Sequence, residues 1–191
     1  NAVLFLHLDP FDPAGQMFNM ISMIQKFNLE NRIVFSGMRA HEGFDWNRMN
    51  EVYNLMDCFF LSTSGEGFGI PIIEAMSAEV PCVVTDYTTT EELVRENGAG
   101  LGVKLVGTEV IDFFKDHSKE YDMKVINGTM TGSWEVERGI IDVRDAADKI
   151  KQIYDNPQMA REMGLNGRRA VMSKYDFDSI VAPAWEKLIN A

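Results

Sequence analysis

Four short runs of mostly apolar, β-favouring residues occupy the first half of this chain: AVLFLHL (2–8), RIVFSG (32–37), DCFFLS (57–62) and PCVVTD (81–86). Each reads as a strand buried on both faces. The segments between and after them, 15–27, 45–56, 70–79 and 90–97, carry helical patterning; in the first, Met17, Met20, Ile21 and Ile24 recur at the three/four spacing of one buried face. Strands of this kind separated by helices imply an α/β fold, a doubly wound parallel sheet flanked by helices. GLGV (100–103) reads as one more strand, and C-terminal helices are expected at 145–154, 157–175 and 178–190. Residues 104–138, with NGTMTGS inside them, give mixed signals and read as an insertion.

Composition narrows the class. With 46% hydrophobic and 25% charged residues, 191 residues are enough for one globular domain with a full core. Lys and Arg total 18 against 29 Asp and Glu, a net charge of −11, so the average surface repels nucleic acid and anionic lipid. No apolar segment reaches the 18 residues of a membrane span. Cys58 and Cys82 lie in strand-like apolar runs and read as small buried hydrophobes, reduced, in a cytoplasmic compartment. The chain opens at Asn1 directly on an apolar run, which reads as a piece of a longer protein.

The candidate site is STSGEGFGIPIIEAMSAEVPCVVTD (62–86). In open α/β sheets ligands sit outside the carboxyl ends of the strands, and STSGEGFG follows the strand CFFL at such an end. Gly65, Gly67 and Gly69 remove three side chains and let backbone N–H groups approach a ligand, while Pro71 suits the first turn of the next helix. The N-terminus of that helix favours an anion such as a phosphate. Glu66 lies in the loop and Glu74 follows about one turn into the helix, between Ile73 and Ala75. Ionised carboxylates accept hydrogen bonds from hydroxyls and cannot donate, so two of them here suit a polyhydroxylated ligand such as a ribose or hexose. The structural alternative for Glu74 is a cap on its own helix terminus or a pair with a buried arginine.

EGFGIPIIEAMSAEVPCVVTD resembles the E-x7-E signature of the retaining, nucleotide-sugar-dependent glycosyltransferases of family 4, which have two Rossmann-like domains in the GT-B arrangement. LENRIVFSGM, MNEVYNLMDCFFLSTSGEGFG and REMGLNGRRAVMSKYDF are similar to further segments of that family's C-terminal domain, so the resemblance covers 2–101 and 142 to the end. It implies that this chain is the C-terminal, donor-binding domain, with the first strand and the N-terminal acceptor domain outside it. It further implies transfer of a hexose from a nucleoside-diphosphate sugar to an acceptor with retention, and no separate cofactor. Glu74 would match the glutamate that binds the ribose hydroxyls, and Glu66 the one that faces the transferred sugar. Gly67, Phe68, Gly69 and Ile70 would match the segment that holds sugar and diphosphate. Ser36, Gly37, Met38 and Arg39 would match the loop beside the base, although from chemistry alone Arg39 is a solvated cation. The alternative is a non-catalytic domain of the same fold that binds a sugar nucleotide or a protein partner.

Two departures stand out. The Arg and Lys with which the family neutralises the donor diphosphate lie before the equivalent of Asn1. Arg144 and Lys149 repeat their spacing, but at the start of a late helix, as a solvated face. TDYTTTEEL (85–93) stands where the family often has a glycine pair, with Thr90 read as a helix N-cap. Asp176 and Asp178 imitate a D-x-D metal motif but precede a terminal helix, where capping is favoured, so no metal is expected. His7, His41 and His117 are isolated and read as structural or solvated.

Overall fold

The computed structural model describes residues 2–11, 19–39, 42–112 and 135–190. Its contacts divide the chain into two compact units, Asn1–Glu51 and Val52–Ala191.

In the first unit β1 (Leu4–Leu6) pairs in parallel with β2 (Ile33–Phe35), Leu4 opposite Ile33. α1 (Met20–Lys26) starts where the Asn19 side chain accepts the Ser22 N–H at 2.9 Å, and it buries Ile24. Residues 12–18 of the expected helix lie outside the described residues. The Asp45 carboxylate accepts the Arg48 N–H at 2.9 Å and so caps α2 (Trp46–Asn54). His7 stacks on Phe44 with ring centroids 4.7 Å apart, a packing role consistent with its isolation in sequence. Burial on both faces does not hold for this pair: Leu4 is 47% and Val34 49% exposed. Each strand of a two-stranded pair is an edge strand, unlike a central strand covered on both sides.

In the second unit β3 (Phe59–Leu61), β4 (Cys82–Thr85) and β5 (Gly100–Val103) form a parallel sheet in the order β3-β4-β5. β4, in the centre, is buried at all four positions, as its unbroken apolar run implies. Because side chains alternate along a strand, Val83 faces away from Cys82 and Val84. Val83 and Val103 form a core cluster with Ala146 and Ile153 of α4 (Val143–Asp155), and Ile150 and Met163 pack around it. α3 (Ile70–Ser77) contributes Ile72, Ala75 and Met76, all fully buried. The Asp142 carboxylate takes the N–H groups of Arg144 and Asp145 at 2.9 and 3.2 Å, which starts α4 two residues earlier than its sequence pattern suggests. α5 (Pro157–Lys174) runs as expected. The last expected helix is divided into a π-helical segment, Phe177–Val181, and α6 (Ala182–Ile189). Another π-helical segment, Glu91–Arg95, replaces the α-helix expected at 90–97.

Residues 105–141 hold strands that the mixed sequence signals conceal. β6 (Leu105–Asp112) and β7 (Glu135–Ile141) pair antiparallel from Leu105 opposite Ile141 to Asp112 opposite Glu135. Residues 113–134, including NGTMTGS, lie outside the described residues. Among those described, no helix is long and apolar enough to cross a membrane.

Both cysteines are free thiols, Cys82 buried and Cys58 partly so. Burial pushes the Cys58 thiol up to about 11, and the Cys82 thiol is also raised by its fully buried position. Since the thiolate is the reactive form, only on the order of one Cys58 in a thousand is ionised at pH 8. Iodoacetamide at pH 8 is therefore expected to label neither residue in the folded chain and both in urea. Labelling of the folded chain at the rate of a free thiol would contradict this burial.

Candidate functional site

The glycine loop (62–69) leaves the carboxyl end of β3 and enters α3. Inside it, the Thr63 hydroxyl accepts the Gly65 N–H at 3.1 Å. Gly69 closes it at φ +90, which favours glycine whatever the space, and a Cβ there would also crowd Ile72 Cδ1 at 3.0 Å. Pro71 occupies the first turn of α3, and the N–H groups of Ile72 and Ile73 both point to the Gly69 carbonyl, at 3.0 and 3.4 Å. The positive end of the helix thus opens on the loop, as its sequence implies.

Glu74 lies in the second turn of α3 and is half-buried. Neither structural alternative supplies its partner. Instead its Oε2 accepts the phenolic hydroxyl of Tyr53 at 2.8 Å. Burial, then the bond to Glu74, raise the Tyr53 pKa above its ordinary value, so the phenol remains a donor throughout the usual pH range. Tyr53 is 6% exposed and packs against Phe59 of β3, with ring centroids 6.2 Å apart. It fixes one oxygen of the carboxylate; among the described residues no side chain hydrogen-bonds the other. Tyr53 escapes a sequence reading centred on the loop. Its only signal is an aromatic residue with a polar tip on the inward face of MNEVYNLMD.

Glu66 is held through its main chain. Its N–H donates to Thr88 Oγ1 at 3.1 Å and its carbonyl accepts the Thr89 hydroxyl at 3.3 Å. Beside it Gly67 is exposed, and a Cβ there would meet open space. Phe68 meets Tyr175 edge to face at 5.8 Å, and Ile70 is 62% exposed. Thr90 departs from its expected role: its buried hydroxyl makes no cap bond, accepts the Tyr87 N–H at 3.2 Å and reaches the carbonyls of Thr85 and Tyr87. It closes the 85–90 turn on itself.

The hairpin also reaches the loop. The Gly139 N–H of β7 donates to the Ser64 carbonyl at 2.8 Å, and Arg138 Nη1 lies 3.5 Å from the Gly65 carbonyl. The end of the expected insertion and the residue after it are therefore joined to the loop at Gly65 and Ser64, a contribution the sequence reading did not assign.

Ser36, Gly37, Met38 and Arg39 form the turn after β2 in the first unit. Ser36 N–H donates to the Leu6 carbonyl at 3.0 Å, Gly37 takes φ +73, and Met38 N–H reaches the Ser36 hydroxyl at 3.5 Å. The Arg39 N–H reaches Glu42 Oε2 at 3.3 Å, and the residue is exposed. Asp176 acts as the N-cap expected of it, accepting the Ser179 N–H at 2.9 Å and the Ser179 hydroxyl at 2.5 Å, and these bonds lower its pKa. His41 and His117 lie outside the described residues.

A family model described as glycosyl transferases group 1 matches residues 14–108. The capsular polysaccharide biosynthesis glycosyltransferase CapM of Staphylococcus aureus is 32% identical over 136 residues, which are 71% of this chain and 26% of CapM. Among solved structures, the sucrose-phosphate synthase of Thermosynechococcus elongatus aligns with 98% of this chain and 38% of its own, at a TM-score of 0.67 and 20% identity. HepE of Anabaena, solved in complex with UDP, aligns with 100% of this chain and 41% of its own, at a TM-score of 0.67 and 17% identity. The structural likenesses establish the Rossmann-like α/β fold of GT-B glycosyltransferases. The chain spans about a quarter of the length of CapM and about two fifths of each of these solved chains.

Proposed function

Because this chain belongs, through residues 14–108, to the group 1 glycosyl transferases, we propose that it is the donor-binding part of a retaining enzyme of family 4. In this reading it takes a nucleoside-diphosphate hexose and presents it to an acceptor held by another part of the protein. The observation that carries it is the pair of carboxylates on one loop-helix unit. Glu74 is fixed at one oxygen by Tyr53 at 2.8 Å, and the main chain of Glu66 is fixed by Thr88 and Thr89.

The two have separate tasks. Glu74 accepts hydrogen bonds from the ribose hydroxyls of the nucleotide, with Tyr53 setting its direction. Glu66 faces the transferred sugar, beside the open backbone of Gly67. Phe68, Gly69 and Ile70 carry the chain into α3, whose positive end favours the diphosphate. Departure of the diphosphate leaves an oxocarbenium-like sugar, so positioning and electrostatic stabilisation do most of the catalytic work. No step of this scheme calls on a metal or a separate cofactor.

The test is a titration of the 191-residue chain with UDP, GDP and ADP sugars, by calorimetry and by amide NMR. One nucleotide class is expected to bind and to shift the amides of 64–74, while no glycoside forms without an acceptor-binding part. The UDP in the HepE structure makes uridine nucleotides the first to try. Shifts confined to residues outside the loop and α3 would mean that the site has been misplaced, and transfer by the chain alone would overturn the division of labour.

A further inference from the structure

Thr88 takes φ +58, the left-handed region, which β-branched residues rarely adopt. Its surroundings hold it there. The buried Thr90 hydroxyl closes the turn behind it, and the Asp86 N–H before it bonds the Val103 carbonyl at 2.8 Å. If the turn were the only requirement, glycine would satisfy it without strain. What glycine lacks is the hydroxyl, which donates to the Tyr87 carbonyl at 2.6 Å and accepts the Glu66 N–H at 3.1 Å. The next residue repeats the arrangement from the other side, since the Thr89 hydroxyl donates to the Glu66 carbonyl at 3.3 Å. Both polar groups of the Glu66 main chain are thereby held by one threonine pair.

We propose that Thr88 and Thr89 are positioning residues for Glu66: they fix its backbone so that its carboxylate is aimed at the sugar of a nucleotide sugar, and the strained Thr88 is kept for its hydroxyl. The inference rests on the donor-site reading above and extends it to residues outside the loop. The pair acts through Glu66, so it governs the part of the affinity that the sugar adds to that of the nucleoside diphosphate.

The experiment compares wild type, Thr88→Gly, Thr88→Ser and Thr89→Val in the 191-residue chain. The probes are UDP and UDP-glucose, or the matching pair of whichever nucleotide class binds. In Thr88→Gly, relief of strain offsets the greater freedom of glycine in the unfolded chain, so the melting temperature is expected to stay within a few degrees. Affinity for the free diphosphate is expected to hold within about twofold, while the affinity gained from the sugar falls by about three- to tenfold, the loss of one hydrogen bond. Thr88→Ser, which keeps the hydroxyl, is expected to restore most of that gain, and Thr89→Val to lose part of it. A glycine variant that binds both ligands like wild type, or a serine variant no better than glycine, would overturn the proposal. Hydrogen exchange supplies an arm that needs no ligand: the Glu66 amide is expected to exchange about five- to tenfold faster in Thr88→Gly, the same one-bond loss. If no nucleotide binds to wild type, the donor-site reading fails; unchanged exchange at Glu66 sinks the tether itself.

Discussion

Replacing Glu74 by alanine is expected to weaken binding of nucleoside diphosphate and nucleotide sugar alike, by about tenfold to a few hundredfold in calorimetric titration. The Glu74 carboxylate has one oxygen held by Tyr53 at 2.8 Å, which leaves acceptor capacity for a ribose diol. Bonds to a charged acceptor contribute about 1.5–3 kcal/mol each. Each 1.4 kcal/mol is about tenfold in affinity, and bonds that share one carboxylate do not add in full, which sets the range. Tyr53→Phe keeps the charge and removes only the donor that aims it, so a smaller loss, about three- to tenfold, is expected from that variant. Glu66→Ala is expected to separate from both. Free nucleoside diphosphate should bind it as it binds wild type, while transfer slows in a protein that also carries the acceptor part, the pattern of an interaction strengthened in the transition state. If Glu74→Ala lowers the melting temperature and leaves affinity intact, the carboxylate serves only to satisfy Tyr53. If both glutamate variants bind and transfer like wild type, the assignment of the loop to donor binding is wrong.

The parts of this molecule that were legible in sequence are those whose signal is local. The strand runs at 57–62 and 81–86, the glycine loop and Pro71 each announce themselves within a few residues, and β3, β4 and α3 stand where those signals put them. α4 began earlier than its apolar period because a cap, Asp142, decides a helix start more sharply than periodicity does. What stayed hidden depends on contacts distant in sequence. Tyr53 meets Glu74 across 21 positions, Thr88 meets Glu66 across 22, and Arg138 reaches Gly65 across 73. No period or spacing records such pairs. The β6–β7 hairpin was missed for another reason: Val106 and Val110 are 66% and 63% exposed, so its apolar residues do not mark a buried face. TDYTTTEEL (85–93) stands where the resembled family often has a glycine pair. Thr88 there takes φ +58, a conformation that favours glycine, and its hydroxyl accepts the Glu66 N–H.

Gly164→Ala is expected to destabilise the fold by about 1–2 kcal/mol, the upper part of the overpacking range less the propensity gain, against the sign that helix propensity alone would give. Gly164 lies within α5, where alanine is ordinarily the better residue by about 1 kcal/mol. Here α5 crosses the end of α3 so closely that a Cβ on Gly164 would stand 2.0 Å from the Glu79 carbonyl oxygen. That atom cannot turn aside as a side chain would. Glu79 itself is held at φ +61, where the chain turns from α3 into β4, and the Val80 N–H that follows bonds the Ala75 carbonyl at 3.0 Å. The helices must therefore separate, which loosens Met76 and Ile72 from the core they help to fill. Overpacking of this kind costs about 1–3 kcal/mol and occasionally more, and it outweighs the propensity gain. For a chain of this size that is a fall of roughly 2–8 °C in melting temperature. Gly167, one turn further along α5, is the control. A Cβ there would meet Met76 Cγ at 3.1 Å and Ala99 Cβ at 3.3 Å, side-chain atoms that can give by a few tenths of an ångström. Gly167→Ala is expected within about 1 kcal/mol of wild type, since its propensity gain roughly offsets the crowding. Differential scanning calorimetry of the two variants decides the matter: a Gly164→Ala chain that melts at or above wild type would mean that α3 and α5 are not locked together by backbone contact at Glu79.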